Sequence, residues 1–319
     1  MSESAGLVLA LDLGGTQFRV ALATAQGEIV GRVAHRVESP DDPDKMIELM
    51  GEVVHGLLSS ERHERILGMG IAVAGLVVPS TGTLLTSPNL QAWYNTPLKE
   101  TWERKLGLPV WVGNDASLAA LGEWRFGAGR GVDDLVYITV STGVGSGVIT
   151  GGRLLEGSQG FAPEIGHMTI DIHGQRCRCG NVGCLETLAS GTAIARIAAE
   201  RLRAGERSSI ADMASGDGGE LTARLVAQAA CSGDALAKAI IEEAAVNLAV
   251  GVVNMVHLFN PKLVIIGGGV SMSGDLLFGP VRRVVAERSM KDFEVDIVPA
   301  QLGDDPGLLG AVALVLQNT

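Results

Sequence analysis

Three cysteines and a histidine crowd one short stretch of this chain, and together they form a ligand set for a metal ion. The stretch reads Glu-Ile-Gly-His over 164–167, then nine residues, then Cys-Arg-Cys-Gly-Asn-Val-Gly-Cys-Leu-Glu over 177–186. His167, Cys177, Cys179 and Cys184 offer one imidazole and three thiolates, the donors of a closed tetrahedral zinc site with no position left for water. Gly180 and Gly183 give the backbone the freedom to wrap three sulfurs around one ion. Such a zinc is structural, so its effect lies in what it holds still. Glu164 and Glu186 flank the ligands, and His167 keeps a second ring nitrogen. Two carboxylates and an imidazole fixed together suit a polyhydroxylated ligand, whose hydroxyls both donate and accept. The fourth cysteine, Cys231, falls in a helical stretch and reads as an ordinary core or surface thiol.

Three glycine-rich turns are the second chemical feature. Each follows a short apolar run: Leu7–Leu13 enters Gly14-Gly15-Thr16, Leu135–Val140 enters Ser141-Thr142-Gly143-Val144-Gly145-Ser146-Gly147, and Leu263–Ile266 enters Gly267-Gly268-Gly269. A glycine turn lets backbone N–H groups approach phosphate oxygens closely. No Gly-x-x-x-x-Gly-Lys-Ser/Thr occurs, which excludes a P-loop enzyme, and no Gly-x-Gly-x-x-Gly follows the first strand, which argues against a dinucleotide site. The His-Arg-Asp set of protein kinases is absent too. Asp12 closes the first strand, and Asp115 follows Val110–Val112 at the head of a helix. As plain structure they would be a turn residue and an N-cap.

These groups need strands and helices to position them. Further strands are expected at 17–23, 28–35, 68–73, 109–112 and 295–298, and helices at 44–59, 116–126, 186–204, 235–258, 277–289 and 307–317. Their alternation defines an α/β class. The 319 residues are enough for two domains with substantial cores. Apolar residues make up 46% and charged ones 19%, a compact chain and not a disordered one. A net charge of −11 argues against a nucleic-acid partner, whose phosphates call for a basic face. The apolar stretch from Ala244 to Val264 is interrupted by Asn247, Asn254, His257 and Asn260-Pro261, so no membrane span is expected. The opening residues lack a signal-like pattern, and clustered reduced thiols suit the cytoplasm.

The metal segment resembles the signature of the ROK family of sugar kinases and sugar-responsive repressors: Gly-His, nine to eleven residues, Cys-x-Cys-Gly-x-x-Gly-Cys-x-Glu. Every fixed position is matched, although the family's Ala-Gly-Glu before Gly-His is Ala162-Pro163-Glu164 here. The glycine turns are similar to those of the hexokinase/actin-like (ribonuclease-H-like) ATPases, two α/β domains with a cleft between them. That resemblance implies that Asp12 acts on magnesium, that Gly14, Gly15 and Thr16 meet phosphate, that Thr142, Gly143 and Gly145 form a second phosphate turn, and that Gly267 and Gly268 border adenosine. It implies that Asn114 contacts the sugar and that Asp115 is the catalytic base. Ser87-Pro88-Asn89-Leu90-Gln91-Ala92-Trp93 resembles the Pro-Asn-Leu-x-x-Trp run of ROK glucokinases, which places Asn89 by the sugar, and Gly75 matches a Pro-Gly turn there. The expectation is therefore an ATP- and Mg2+-dependent kinase acting on a hexose 6-hydroxyl, glucose foremost, with structural Zn2+ and a homo-oligomeric state, dimer or tetramer. An N-acetylhexosamine kinase and a sugar-sensing repressor are the alternatives. The expected small domain is 1–115 plus 304–319, the large one 116–303. Metal loss is expected to weaken sugar binding well before nucleotide binding.

Overall fold

The computed structural model describes residues 6–60, 65–216 and 219–319, so residues 1–5 and 61–64 of the expected first domain and 217–218 of the expected second lie outside it. In chain order the elements begin with β1 (Leu7–Leu13), β2 (Gln17–Ala23), β3 (Ile29–Arg36), α1 (Pro43–Ser60), β4 (Ile66–Val73), β5 (Leu76–Val78), β6 (Thr83–Thr86) and β7 (Thr96–Pro97). They continue with α2 (Leu98–Leu106), β8 (Val110–Asn114), α3 (Asp115–Phe126), β9 (Leu135–Val140), β10 (Val144–Thr150) and β11 (Arg153–Leu154). After a 3-10 turn at Ile165–His167 come α4 (Leu185–Ala189), α5 (Gly191–Arg203), α6 (Ile210–Gly216), α7 (Ala223–Cys231) and α8 (Ala235–Phe259). The chain ends with β12 (Leu263–Gly267), α9 (Asp275–Arg288), β13 (Asp296–Pro299) and α10 (Pro306–Asn318).

Two compact units result. The first holds the residues up to Gly131, Gly147–Pro163 and Gln301–Thr319, and the second holds Val132–Ser146 and Glu164–Ala300. This division differs from the expected one at α3, which packs on α10 and stays with the first unit, and at Gly147–Pro163, which joins that unit too. The packing is close. A Cβ on Gly310 would stand 1.9 Å from Leu118 O, and one on Gly122 would stand 2.8 Å from Gly310 N.

The first unit is built on a sheet of order β3-β2-β1-β4-β8. The strands β1, β2 and β3 pair antiparallel, whereas β1, β4 and β8 run parallel. Both faces of β1 are buried, which explains its almost unbroken apolar run. On one face α10 lies across β1, β4 and β8. It comes so near β4 that a Cβ on Gly70 would meet Ala311 O at 2.1 Å.

The second unit contains β9, β12 and β13, with β12 pairing parallel to both of the others. Its longest helix, α8, has the length and apolar character of a membrane span, but it is mostly buried and packs on α4, α7 and α9. Asp234 caps its start by accepting from Ala237 N–H at 2.9 Å, and Asn260, left-handed at φ 45°, ends it before Pro261. It is a core helix. The helix expected over 186–204 is two helices, because Ser190 caps a second start through Ala193 N–H and Gly191 packs its backbone on Ser141 O.

Candidate active site

In the first unit the expected residues gather at the carboxyl end of the parallel strands. Asp12 sits level with Ala72 and Gly113 across β1, β4 and β8, and Asp115 follows two residues beyond Gly113. This is the edge at which open α/β sheets bind ligands. Gly14 N–H closes the first turn on Gln17 O at 3.0 Å. Gly15 approaches Asn89 so closely that a Cβ would stand 2.5 Å from the Asn89 Cβ. Ser87, Leu90 and Trp93 are buried and pin that run, leaving Asn89 exposed beside the turn, with Thr16 exposed next to it.

Asp12 is not alone. Its cross-strand partner is Arg19, whose guanidinium pairs with the Asp12 carboxylate and also donates to Asp304 O. Arg32 joins through Asp305, 2.8 Å away. Burial pushes the Asp12 carboxyl above its usual range, and Arg19 opposes that rise.

Asn114, not Asp115, is the N-cap of α3. Its Oδ1 accepts from Ala116 and Ser117 N–H, both at 3.0 Å, and its Nδ2 donates to Gly75 O at 3.1 Å. Gly75, Asn114 and Asp115 are thereby brought together, and one amide hydrogen of Asn114 is left over for a ligand. Gly75 must be glycine: its φ is 140°, and a Cβ would meet Thr86 O at 2.2 Å.

In the second unit the four candidate ligand atoms of His167, Cys177, Cys179 and Cys184 lie within 4.8 Å of one another. Cys177 Sγ is 3.7 Å from His167 Nδ1, and Cys179 Sγ is 3.7 Å from Cys184 Sγ. Tetrahedral zinc with ~2.3 Å bonds sets sulfurs about 3.8 Å apart, so the set fits that ion. Burial and the neighbouring sulfurs push the Cys184 thiol up to about 12, the cost of gathering three thiols that a dication would offset. With Nδ1 facing the sulfurs, His167 Nε2 faces Glu164 Oε2 at 3.9 Å. The Glu164 carboxyl is raised by burial, lowered in part by His167 and raised again by Glu186. The Ala162–Pro163 bond before it is cis.

The two remaining glycine turns meet in the same unit. A Cβ on Gly268 would stand 2.5 Å from Val140 O, and Gly269 N–H donates to Ser141 Oγ at 3.2 Å. Thr192 holds Thr142 O at 2.7 Å, and Glu186 Oε2 accepts from Val144 N–H at 3.1 Å.

Comparison with known proteins points to one family. The ROK family model matches residues 8–318. The chain belongs to the ROK family. It is 36% identical over 313 residues to a glucokinase of Thermotoga maritima, covering 98% of both chains. It is 33% identical over 322 residues to a xylose repressor of Caldicellulosiruptor bescii, covering all of this chain and 80% of that one. Among solved structures it resembles a ROK family glucokinase from Streptomyces griseus, in complex with glucose and AMPPNP, at a TM-score of 0.84 and 35% identity over 98% of this chain and all of that one. The fold is thus the two-domain, hexokinase/actin-like ATPase fold. ROK relatives include both kinases and repressors.

Arg19 joins the residues found by motif, and Ser141, at the start of the second turn, proves to tie it to the third. Glu186 reaches the second glycine turn through Val144 N–H, which the motif alone does not reveal. Glu186 and Gly166, on the loop of the candidate ligand set, both touch Val144 in this turn.

Proposed function

We propose that this chain is an ATP-dependent sugar kinase that transfers the γ-phosphoryl group to a hexose 6-hydroxyl, with glucose its best acceptor. The observation that carries this reading is the pair Asp12 and Asp115 at the same sheet edge, with Asp115 fixed at the head of α3 beside the Asn114–Gly75 bracket. A repressor needs a sugar pocket but no base. Asp115 takes the proton of the hydroxyl as its oxygen forms a bond to the γ-phosphorus and the bond to the β-phosphate oxygen breaks, releasing ADP. Such a base supplies ~10²- to 10⁴-fold in rate. Magnesium, when bound with ATP, neutralises phosphate charge. Asp12 would hold it, and the N–H groups of the glycine turns would hold the phosphates. Glu164, His167, Glu186, Asn89 and Asn114 supply polar partners for sugar hydroxyls, and His167, Cys177, Cys179 and Cys184 hold the zinc.

The decisive experiment measures ADP release with Mg·ATP and glucose, mannose, N-acetylmannosamine, N-acetylglucosamine or fructose. The expected result is turnover with the highest kcat/KM for glucose. Preference for an N-acetylated sugar would move the assignment to the hexosamine kinases. Absence of turnover with every sugar, together with salt-dependent DNA binding, would establish the repressor reading instead.

A further inference from the structure

Val144 is held from two sides by the metal loop. Gly166, in the turn that carries His167, lies so close that a Cβ there would stand 2.1 Å from Val144 O. From the other side the Glu186 carboxylate accepts from Val144 N–H at 3.1 Å. Gly143 has no side chain to obstruct that approach, since a Cβ would stand 2.5 Å from the same carboxylate oxygen. The second oxygen of Glu186 is 3.9 Å from Cys177 Sγ. One carboxylate therefore reaches from a thiol of the metal set to the backbone of a glycine turn.

We infer that Glu186 is a positioning residue for the nucleotide turn Thr142–Gly145, tying its backbone to the metal loop through Val144 N–H, in addition to its place in the sugar set. This rests on the reading of 142–145 as a phosphate turn. The Glu186 oxygen gives Val144 N–H an acceptor and so fixes the backbone of the turn. Without it, a glycine turn regains conformational freedom that each binding event must remove again. Nucleotide affinity is then linked to the metal loop even when no sugar is present.

The test is calorimetric titration of Mg·ADP into sugar-free, zinc-loaded protein. Glu186→Gln retains an oxygen for Val144 N–H and should bind within about twofold of the parent, whereas Glu186→Ala should bind at least tenfold more weakly, about 1.4 kcal/mol. Amide exchange at Val144 should stay slow in the first variant and quicken in the second. Zinc content and thermal melting are measured on the same samples. Should Glu186→Ala lose its metal, Glu186→Asp, one methylene too short to reach, is judged by the same criterion. Parental Mg·ADP affinity in a zinc-loaded variant lacking the bond overturns the inference. Failure of the parent itself to bind Mg·ADP overturns the kinase reading, a result distinct from any confined to the variants.

Discussion

Asp12 and Asp115 illustrate how much one carboxylate owes to its neighbours. Asp115→Asn keeps shape and hydrogen bonding but not basicity, so kcat should fall at least a hundredfold while sugar KM changes little. Steady-state kinetics across a glucose series measures both, and turnover within about tenfold of the parent removes Asp115 from the base role. Asp12 depends on Arg19. Each side chain is less than one-fifth exposed, so Arg19→Met leaves a nearly buried carboxylate without its counter-charge. Breaking such a pair costs about 3 kcal/mol, and urea unfolding of the variant should show a loss of that order. The Asp12–Arg19 pairing was readable in principle, because a tight hairpin centred on Gly15-Thr16 sets these two residues opposite each other. Ser141 was not: its partner, Gly269, is brought to it only by the pairing of β9 with β12.

Elements show the same contrast. The buried strands β1 and β9 stood out in the sequence because apolar runs ended by glycine have few other uses. The small sheet β5-β6-β7 did not, since its strands are only two to four residues long and the last of them contains Pro97. Among helices, α8 shows how a cap ties neighbouring elements. Asp234 accepts from Ala237 N–H and also from Ser209 N–H and Oγ, at 2.7 and 2.9 Å, just before α6. Despite the opposing effect of burial, these hydrogen bonds bring its carboxyl down to about 2. The folded value lies below the unfolded one, so the stabilisation is complete above about pH 4 and is lost as pH falls toward 2. Asparagine caps helices as well as aspartate does but carries no charge. The parent should therefore melt higher than Asp234→Asn at pH 7, with the gap closing between about pH 4 and 2. A gap independent of pH would assign the effect to shape alone. The metal loop is the most sequence-legible element of all, and its test is direct. Protein purified without chelator should carry one zinc per chain, and Cys179→Ser should lose it, as elemental analysis would show.

At the scale of the whole chain, the glycines of the α3–α10 contact matter more than any single apolar residue. Gly310 has Leu118 O where its Cβ would be, and Gly70 has Ala311 O. Neither obstacle is a movable side chain, so Gly310→Ala must push α10 away from α3 and β4 at once. A loss of about 3 kcal/mol or more is expected, in the range of severe overpacking, measurable by urea denaturation of the purified variant. An unchanged midpoint would mean the helices part without cost. No sequence pattern marked these positions, because a glycine needed for helix packing looks like any other glycine until the partner backbone is in place.

The dependence of β1, β4 and β8 on α10 has a consequence during synthesis. The strands leave the ribosome early, yet the helix that covers one face of their sheet is translated only after every residue of the second unit. At ~5–20 residues per second that delay is on the order of tens of seconds. Throughout it the nascent first unit presents an uncovered apolar sheet face, while the second unit can already assemble β9, β12 and α8. The core of the second unit can thus begin to assemble while the older sheet still lacks α10. Folding helpers that shield hydrophobic surface would find their target in the oldest part of the nascent protein, not the newest.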